Sequence, residues 1–199
     1  MRRISPGSKV PNALVDYIDS LLKERRDLAQ SISPLFVIID GPAGAGKTTL
    51  ASQIVSHFSF GEIIHCDDLY NGWEDALTPT LERTIREWIL EPIKESRPIR
   101  IRKFDWQSNS YGNEVLIPQT PLLILEGVGC AIESVSQAAD LSIWIDIPFD
   151  LGLQRVLSRD GIAIKEEMVS WIDQQAEYFA LYRNQENCSL HLPYGAPAT

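Results

Sequence analysis

A run of eight residues in the first quarter of the chain has the types and spacing of a phosphate-binding loop. It reads Gly41-Pro42-Ala43-Gly44-Ala45-Gly46-Lys47-Thr48 and fits the pattern G-x-x-x-x-G-K-S/T. Glycines let the backbone curl so that successive N–H groups point at phosphate oxygens, and the helix that follows adds its positive N-terminal end. We expect Lys47 to reach the β- and γ-phosphates of a nucleotide and the Thr48 hydroxyl to ligate Mg²⁺.

The residues predicted to bind the phosphates belong to this loop and to the start of the next helix. They are Gly41, Ala43, Gly44, Ala45, Gly46, Lys47, Thr48 and Thr49. A glycine-rich turn that binds nothing is the alternative, but it does not explain a Lys and a Thr at these offsets. The loop therefore predicts ATP and Mg²⁺ as cofactors.

Acidic residues at the ends of two predicted strands are the candidates for proton transfer and metal binding. Asp67 follows Ile63-Ile64-His65-Cys66, and Glu126 ends the apolar run 122–125. The carboxyl ends of parallel strands face the ligand crevice of a doubly wound sheet. We expect Asp67 to accept the proton of an acceptor hydroxyl and, with Thr48 and Glu126, to support Mg²⁺ through hard oxygen ligands. A local Asx turn or helix cap is the alternative role for Asp67.

Two arginines, Arg155 and Arg159, are spaced to lie on one face of a predicted helix. Two guanidinium groups on one face can hold a transferring phosphoryl group or nucleotide phosphates. We therefore predict a catalytic lid helix. Ordinary salt bridges to Asp160 or Glu166 are the alternative.

The elements that must position these residues follow from the apolar pattern. Wholly apolar runs predict buried strands, and helical spacing predicts helices between them. The predicted strands cover 35–39, 63–64, 121–125 and 141–145, and the predicted helices cover 12–30, 48–58, 151–158 and 165–182. This alternation predicts a three-layer α/β fold with a mostly parallel sheet and helices on both faces.

One domain accounts for the whole chain, which has 199 residues, 44% of them hydrophobic and 23% charged. Such a composition supplies one sizeable core. We divide the domain into a core at 31–78 and 119–185, an inserted segment at 79–118 and a tail at 186–199. The inserted segment contains a predicted helix at 81–90, an alternating strand at 99–102 and turn-rich residues at 107–113, and we expect it to cover the acceptor side of the site.

The bulk properties limit the partners. A net charge of −9 disfavours nucleic acid and membrane surfaces, which bind clustered Lys and Arg. The chain contains no apolar run long enough for a membrane span and no secretory signal pattern at its start. The cysteines, which lack the spacing of a zinc site, are Cys66, Cys130 and Cys188. We expect a cytoplasmic protein with reduced thiols and a small-molecule partner, and a homo-oligomer remains open.

Other segments separate the classes of P-loop protein. The chain contains no Asn-Lys-x-Asp segment of the kind that reads guanine and no transporter-type Ser-Gly-Gly-Gln segment. Oligomeric ATPases usually end their second catalytic strand in paired acids, whereas Glu126 is followed here by Gly127. These features favour a small-molecule kinase.

Five motifs resemble, in order and spacing, the uridine kinase-like group of P-loop kinases, which includes relatives acting on pantothenate and ribulose phosphate. They are the P-loop, Asp67-Asp68-Leu69-Tyr70, Phe104-Asp105-Trp106, Glu126-Gly127, and Arg155 with Arg159-Asp160. The resemblance implies that Asp67 is the general base and that the γ-phosphoryl group of ATP passes to a hydroxyl of a nucleoside-like acceptor. The residues that we predict to contact the acceptor are Asp68, Tyr70, Trp73, Phe104, Asp105 and Trp106. Core packing is the alternative for the aromatic ones.

The sequence departs from the uridine kinases directly after Trp106. Those kinases continue with a His and an Arg that contact the nucleoside, whereas this chain has Gln107, Ser108 and Asn109. We therefore expect uridine to be at best a mediocre acceptor.

Six basic residues of the inserted segment could instead bind an acceptor phosphate or keep an exposed edge soluble. They are Arg83, Arg86, Arg97, Arg100, Arg102 and Lys103. Two alternatives to the nucleoside-like kinase remain. One is a nucleoside monophosphate kinase, and the other is an ATP-binding regulatory ATPase without a small acceptor.

Overall fold

The fold is built on a sheet of five parallel strands, seen in a computed structural model that describes residues 10–27 and 33–193. The strands follow the order β2-β5-β1-β6-β7, and β3 and β4 form a separate antiparallel hairpin. The strands are β1 (Leu35–Asp40), β2 (Glu62–His65), β3 (Arg100–Asp105), β4 (Ser110–Leu116), β5 (Leu122–Glu126), β6 (Leu141–Ile145) and β7 (Leu190–Leu192).

Helices connect the parallel strands. They are α1 (Asn12–Asp27), α2 (Lys47–Phe58), α3 (Pro79–Ile85), α4 (Glu91–Lys94), α5 (Glu133–Ala138), α6 (Phe149–Asp160) and α7 (Lys165–Tyr182). A π-helical turn, Arg86–Leu90, joins α3 to α4, and short 3₁₀ turns cover Cys66–Asp68 and Ile162–Ile164. The helix predicted at 81–90 thus lies inside a longer helical segment.

The central strand β1 separates two apolar cores. All six of its residues are buried, as expected for a strand covered on both faces. Phe36 and Ile38 pack into one core, whereas Val37 and Ile39 pack into the other beside Ile18 of α1. The predicted three-layer α/β fold is confirmed. The last three residues of the helix predicted at 12–30 lie outside the described residues.

The inserted segment contains a strand that the sequence analysis missed. β4 pairs with β3 from Arg100 opposite Leu116 to Asp105 opposite Ser110, with an irregularity between Arg102 and Phe104. We interpreted residues 107–113 as a turn, but the strand already begins at Ser110. Most of β4 is exposed, so its residues lack the apolar pattern of the buried strands.

The segment predicted as a polar tail also contributes a strand. Leu190–Leu192 forms β7 and pairs in parallel with β6, with Ile143 opposite Leu190. Three residues are too few to show a periodic pattern. The residues 194–199 of the predicted tail lie outside the described residues.

Candidate active site

A cleft of about 640 Å³ opens at the carboxyl ends of the parallel strands. Residues that follow β1, β2, β5 and β6 line it together with residues of α6 and α7. This is the edge at which ligands bind in open α/β sheets. The cleft is therefore the candidate active site.

The phosphate-binding loop forms one wall of the cleft. Seven of the eight residues predicted to bind phosphates line it, from Ala43 to Thr49. Gly41 does not; its N–H donates to the Asp40 carboxylate at 2.6 Å, and a β-carbon at this position would lie 2.3 Å from the Ile145 carbonyl oxygen. Gly44 and Gly46 have φ values of 76° and 100°, a region that favours glycine.

Lys47 turns back over its own loop. Its ammonium group donates to the carbonyl oxygens of Gly41 at 2.8 Å and Pro42 at 3.0 Å. Lys47 is also only 7% exposed, so its charge is largely enclosed by the loop and by the residues that line the cleft. A lysine in this position meets phosphate oxygens bound inside the loop.

The first residues of α2 and the end of β5 meet at a carboxylate. Thr48 Oγ1 donates to Glu126 Oε1 at 2.9 Å, and His65 Nδ1 lies 2.5 Å from the same oxygen. The hydrogen bond to Glu126 raises the pKa of His65, against the effect of burial. No role was assigned to His65 from the sequence, and its contact with Glu126 was not predicted.

The residues predicted to bind Mg²⁺ have the right chemistry. Thr48, Glu126 and Asp67 all line the cleft and all offer oxygen. Mg²⁺ in nucleotide sites takes only one or two protein ligands and completes its shell with phosphate and water. Within residues 10–27 and 33–193, no group of three or more His, Cys, Asp or Glu is placed to hold a metal ion.

Asp67 lies in the 3₁₀ turn directly after β2 and faces the cleft. Burial by the surrounding protein atoms raises the pKa of Asp67, and the negative charge of Glu126 raises it further. The positive charges of Lys47 and Arg159 lower the pKa of Asp67. Solvent still reaches the side chain through the open cleft, which moderates the effect of burial. Asp67 thus lines the same cleft as Lys47 and Arg159 and is influenced by their charges.

Both predicted lid arginines lie on α6 and line the cleft. Arg155 Nη1 donates to the Gly44 carbonyl at 3.2 Å. Arg159 makes a two-point ion pair with Asp160, at 2.6 and 2.7 Å, and this is one of the salt bridges that the sequence offered as the alternative. The arrangement leaves the lid role a prediction.

The α6 and α7 helices contact the phosphate-binding loop closely. The Ala43 N–H donates to Gln175 Oε1 on α7 at 2.8 Å. A β-carbon on Gly152 of α6 would lie 2.6 Å from the Ala43 carbonyl. The loop and the two helices thus form one packed unit.

Three of the predicted acceptor contacts do not line the cleft. Asp68 forms an ion pair with Lys103 at 2.8 Å. Phe104 is buried. Asp105 accepts hydrogen bonds from the Gln107 and Ser108 N–H groups in the hairpin turn, and these bonds lower its pKa.

The other three predicted contacts, Tyr70, Trp73 and Trp106, do line the cleft. Trp171 of α7 joins them, with its ring centroid 5.5 Å from Tyr70 and 5.6 Å from Trp73. Sequence reasoning missed Trp171, because an apolar residue at helical spacing is usually interpreted as core.

The hairpin holds the turn that carries Asp67. Trp106 Nε1 donates to the Asp67 carbonyl at 3.2 Å, and the Tyr111 hydroxyl donates to the Leu69 carbonyl at 2.7 Å. With the ion pair between Lys103 and Asp68, three hairpin side chains bind three consecutive residues of the turn.

The basic residues of the inserted segment do not line the cleft. Arg100 pairs with Glu114, Arg97 with Glu95, and Arg86 with Glu87 and Glu91. All of these side chains are about half exposed. The hypothesis that they bind an acceptor phosphate gains no support from their positions.

Comparison with known proteins identifies the family. The profile of the Phosphoribulokinase / Uridine kinase family matches residues 80–179. The chain belongs to this family. It is a P-loop kinase, as the five sequence motifs predicted, and membership implies nucleotide binding at the P-loop.

Individual relatives of this family member are distant. The uridine kinase of Ureaplasma parvum serovar 3 is 28% identical over 144 residues, which cover 64% of this chain and 70% of that protein. A possible uridine kinase from Bacillus stearothermophilus has a TM-score of 0.58 at 18% identity, with 90% of this chain and 99% of that one covered. The D-glycerate 3-kinase of Cryptococcus neoformans has a TM-score of 0.61 at 12% identity, with 87% and 88% covered.

Within the described ranges, no helix is both long and apolar enough to cross a bilayer.

Proposed function

We propose that this kinase transfers the γ-phosphoryl group of ATP to a hydroxyl of an uncharged, nucleoside-like small molecule, with Mg²⁺ as cofactor. The observation that carries the proposal is that Lys47 and Asp67 line one cleft with Tyr70, Trp73 and Trp106. A phosphate-binding group, a carboxylate and a wall for an organic acceptor are thus within reach of one another. Such catalysis is mainly positioning and charge neutralisation.

Each charged residue has a role that fits its place. Lys47 and the loop amides bind the β- and γ-phosphates, and Arg155 and Arg159 hold the transferring group. Thr48 and Glu126 would hold Mg²⁺, which supplies charge neutralisation at the phosphates. Asp67 accepts the proton of the acceptor hydroxyl as that oxygen attacks phosphorus.

An uncharged acceptor is favoured over a nucleoside monophosphate. The cationic side chains that line the cleft are Lys47, Arg155 and Arg159, and the transferred phosphates require them. None of the six basic residues named in the inserted segment lines the cleft, and four of them pair with carboxylates, as Arg100 does with Glu114.

A small acceptor is also favoured over a regulatory ATPase. A relative in sequence is named uridine kinase, and a protein of similar fold is named D-glycerate 3-kinase; both names denote transfer to a small molecule. A switch that only hydrolyses ATP has no need of an aromatic wall beside Asp67.

An acceptor panel tests the proposal. ADP release is measured with nucleosides, nucleoside monophosphates, pantothenate and sugars, against a reaction without acceptor. At least one uncharged hydroxyl acceptor should stimulate ADP release, and its phosphorylated product should appear. Lys47→Ala should abolish both while the protein stays folded. ADP release that no acceptor stimulates would favour the regulatory ATPase, and stimulation by monophosphates alone would favour the monophosphate kinase.

A further inference from the structure

Four aromatic rings from three parts of the chain meet at one end of the cleft. Tyr70 and Trp73 follow β2, Trp106 lies at the end of the hairpin strand β3, and Trp171 lies on α7. Their centroids are 5.1 to 6.5 Å apart where they touch. We call these four residues the aromatic box.

Exposure divides the box into two parts. Tyr70 and Trp171 are 2% and 5% exposed, whereas Trp73 and Trp106 are each 39% exposed. Burial of Tyr70 and Trp171 makes them a fixed support. The two exposed indoles present open ring surface to the cleft, where a flat ligand can stack on them.

The box has few groups with which to recognise the edge of a ring. The Tyr70 hydroxyl donates to the Val128 carbonyl at 2.8 Å, and Trp106 Nε1 donates to the Asp67 carbonyl at 3.2 Å. The remaining indole N–H groups can only donate. Val128, Ile164 and Met168, which also line the cleft, add apolar surface.

Side-chain amides are also scarce. Among the described residues that line the cleft, Gln53 is the one amide side chain, and it lies on α2, the helix that follows the phosphate-binding loop. Hydrogen-bonding side chains that distinguish one base from another need both donors and acceptors at the ring edge. The box offers no such exposed pair, because its one acceptor, the Tyr70 hydroxyl, belongs to a side chain that is 2% exposed.

The box is joined to the reaction centre. Trp106 holds the carbonyl of Asp67, so a ring stacked on Trp106 lies next to the residue that would take the acceptor proton. A hydroxyl carried on a short substituent of that ring can then reach Asp67.

We infer that the aromatic box binds the acceptor through the faces of a flat, uncharged ring and that it discriminates poorly between rings of different edge chemistry. The inference rests on the proposed function and adds its substrate class: ring-bearing alcohols, with purine and pyrimidine nucleosides treated alike. A site that hydrogen-bonds the polar groups of its substrate can discriminate strongly between substrates. Because the box lacks such contacts at the ring edge, it lacks that discrimination. Stacking remains, and it tolerates any base because every base has an aromatic face.

The first test compares acceptors that differ only in the ring. Uridine, cytidine, adenosine and guanosine are assayed with ATP, beside ribose as the control without an aromatic ring and uridine monophosphate as the charged one. The kcat/KM values of the four nucleosides should agree to within roughly 10-fold, and ribose and the monophosphate should each fall at least that far below them. A larger preference for one base would overturn the inference and leave a base-selective nucleoside kinase. Better turnover of ribose or of the monophosphate would also overturn it and would indicate another class of acceptor. If no compound on this panel or the wider one accepts phosphate, the proposed function fails as well.

The second test changes the box itself. Trp73→Leu removes an exposed ring face, so the KM for every accepted nucleoside should rise by roughly 5- to 150-fold, the usual worth of one stacking contact. The KM for ATP should stay the same, and Trp73→Phe should restore most of the affinity. Trp88→Leu is the matched control, because Trp88 packs on Tyr111 outside the cleft. An unchanged acceptor KM in Trp73→Leu, or an equal rise in Trp88→Leu, would contradict the role of the box.

Discussion

At the scale of single residues, Glu126 combines burial with two polar neighbours. It is 4% exposed, and one of its oxygens contacts both Thr48 and His65. A buried carboxylate costs free energy unless hydrogen bonds or cations balance it. A cation at the phosphate-binding loop would supply that balance.

This predicts a strict dependence on Mg²⁺. EDTA should abolish turnover, and Mg²⁺ or Mn²⁺ should restore it, because the candidate ligands are hard oxygens. Glu126→Gln should raise the Mg²⁺ concentration for half-maximal activity by roughly 10- to 100-fold, measured by titration of the metal at saturating ATP. Glu133→Gln, an exposed acid on α5, should leave the titration unchanged. Recovery with Zn²⁺ alone would argue against this assignment.

The residues predicted for the phosphate side line the cleft more completely than those predicted for the acceptor side. The offsets within the P-loop bring Lys47 and Thr48 to the cleft, and their contacts with phosphate and Mg²⁺ stay predictions. In the acceptor motifs, by contrast, neighbouring side chains make contacts in different parts of the structure. Asp68 and Asp105 are held by Lys103 and by the hairpin turn, and only the folded hairpin shows this.

At the scale of elements, the hairpin is more than a cover over the cleft. Its side chains bind the carbonyls or carboxylate of Asp67, Asp68 and Leu69. The orientation of the Asp67 carboxylate therefore depends on the hairpin.

Trp106→Phe tests this dependence. The change keeps an aromatic ring but removes the N–H that binds the Asp67 carbonyl. We expect kcat to fall by roughly 2- to 10-fold, the worth of one neutral hydrogen bond, with the KM for ATP unchanged in steady-state assays. Trp88→Phe should have no such effect. If only the acceptor KM rises, Trp106 acts as a wall of the aromatic box and does not position Asp67.

The contact between α6 and the phosphate-binding loop gives a second prediction. Gly152→Ala would place a methyl group 2.6 Å from the Ala43 carbonyl, so the helix or the loop must shift. We expect a loss of about 1–3 kcal/mol in unfolding free energy from overpacking and weaker ATP binding, measured by chemical denaturation and nucleotide titration. Gln154→Ala, on an exposed face of the same helix, should change neither. Normal ATP affinity in Gly152→Ala would mean that the loop does not depend on this contact.

Strongly apolar elements were predictable and weakly patterned ones were not. The strand 141–145 and the helix 165–182 were predicted with the bounds that the structure has. The exposed strand β4 and the three-residue strand β7 were missed. Both are stabilised by their partners, β3 and β6, and carry little signal of their own.

At the scale of the whole molecule, the buried Asp40 carboxylate joins distant segments around the site. It accepts hydrogen bonds from the N–H groups of Gly41, Gly129 and Ala131 and from the side-chain amide of Asn184. Burial raises the pKa of Asp40, and the backbone N–H donors oppose that shift. The start of the P-loop, the loop after β5 and the residues after α7 are thus fixed to one another.

Asn184→Ala should loosen this connection. The change removes the 3.0 Å bond from Nδ2 to Asp40, while the lost Oδ1 has no hydrogen-bond partner among the described residues. We expect unfolding free energy to fall by about 1–3 kcal/mol, measured by urea denaturation. Asn113→Ala, at an exposed position of β4, serves as the control. Equal stability of the two variants would show that the connection contributes little.

The most direct test of the kinase mechanism is acceptor phosphorylation by Asp67→Asn, measured with radiolabelled ATP and the best acceptor of the panel. The variant keeps the shape of the side chain but cannot take a proton, so phosphoryl transfer should fall by roughly 10²–10⁴-fold while ATP affinity changes far less. Asp68→Asn should be much milder, because Asp68 pairs with Lys103 and does not line the cleft. Intact transfer in Asp67→Asn, with or without a loss in Asp68→Asn, would contradict the assignment of Asp67 as the general base.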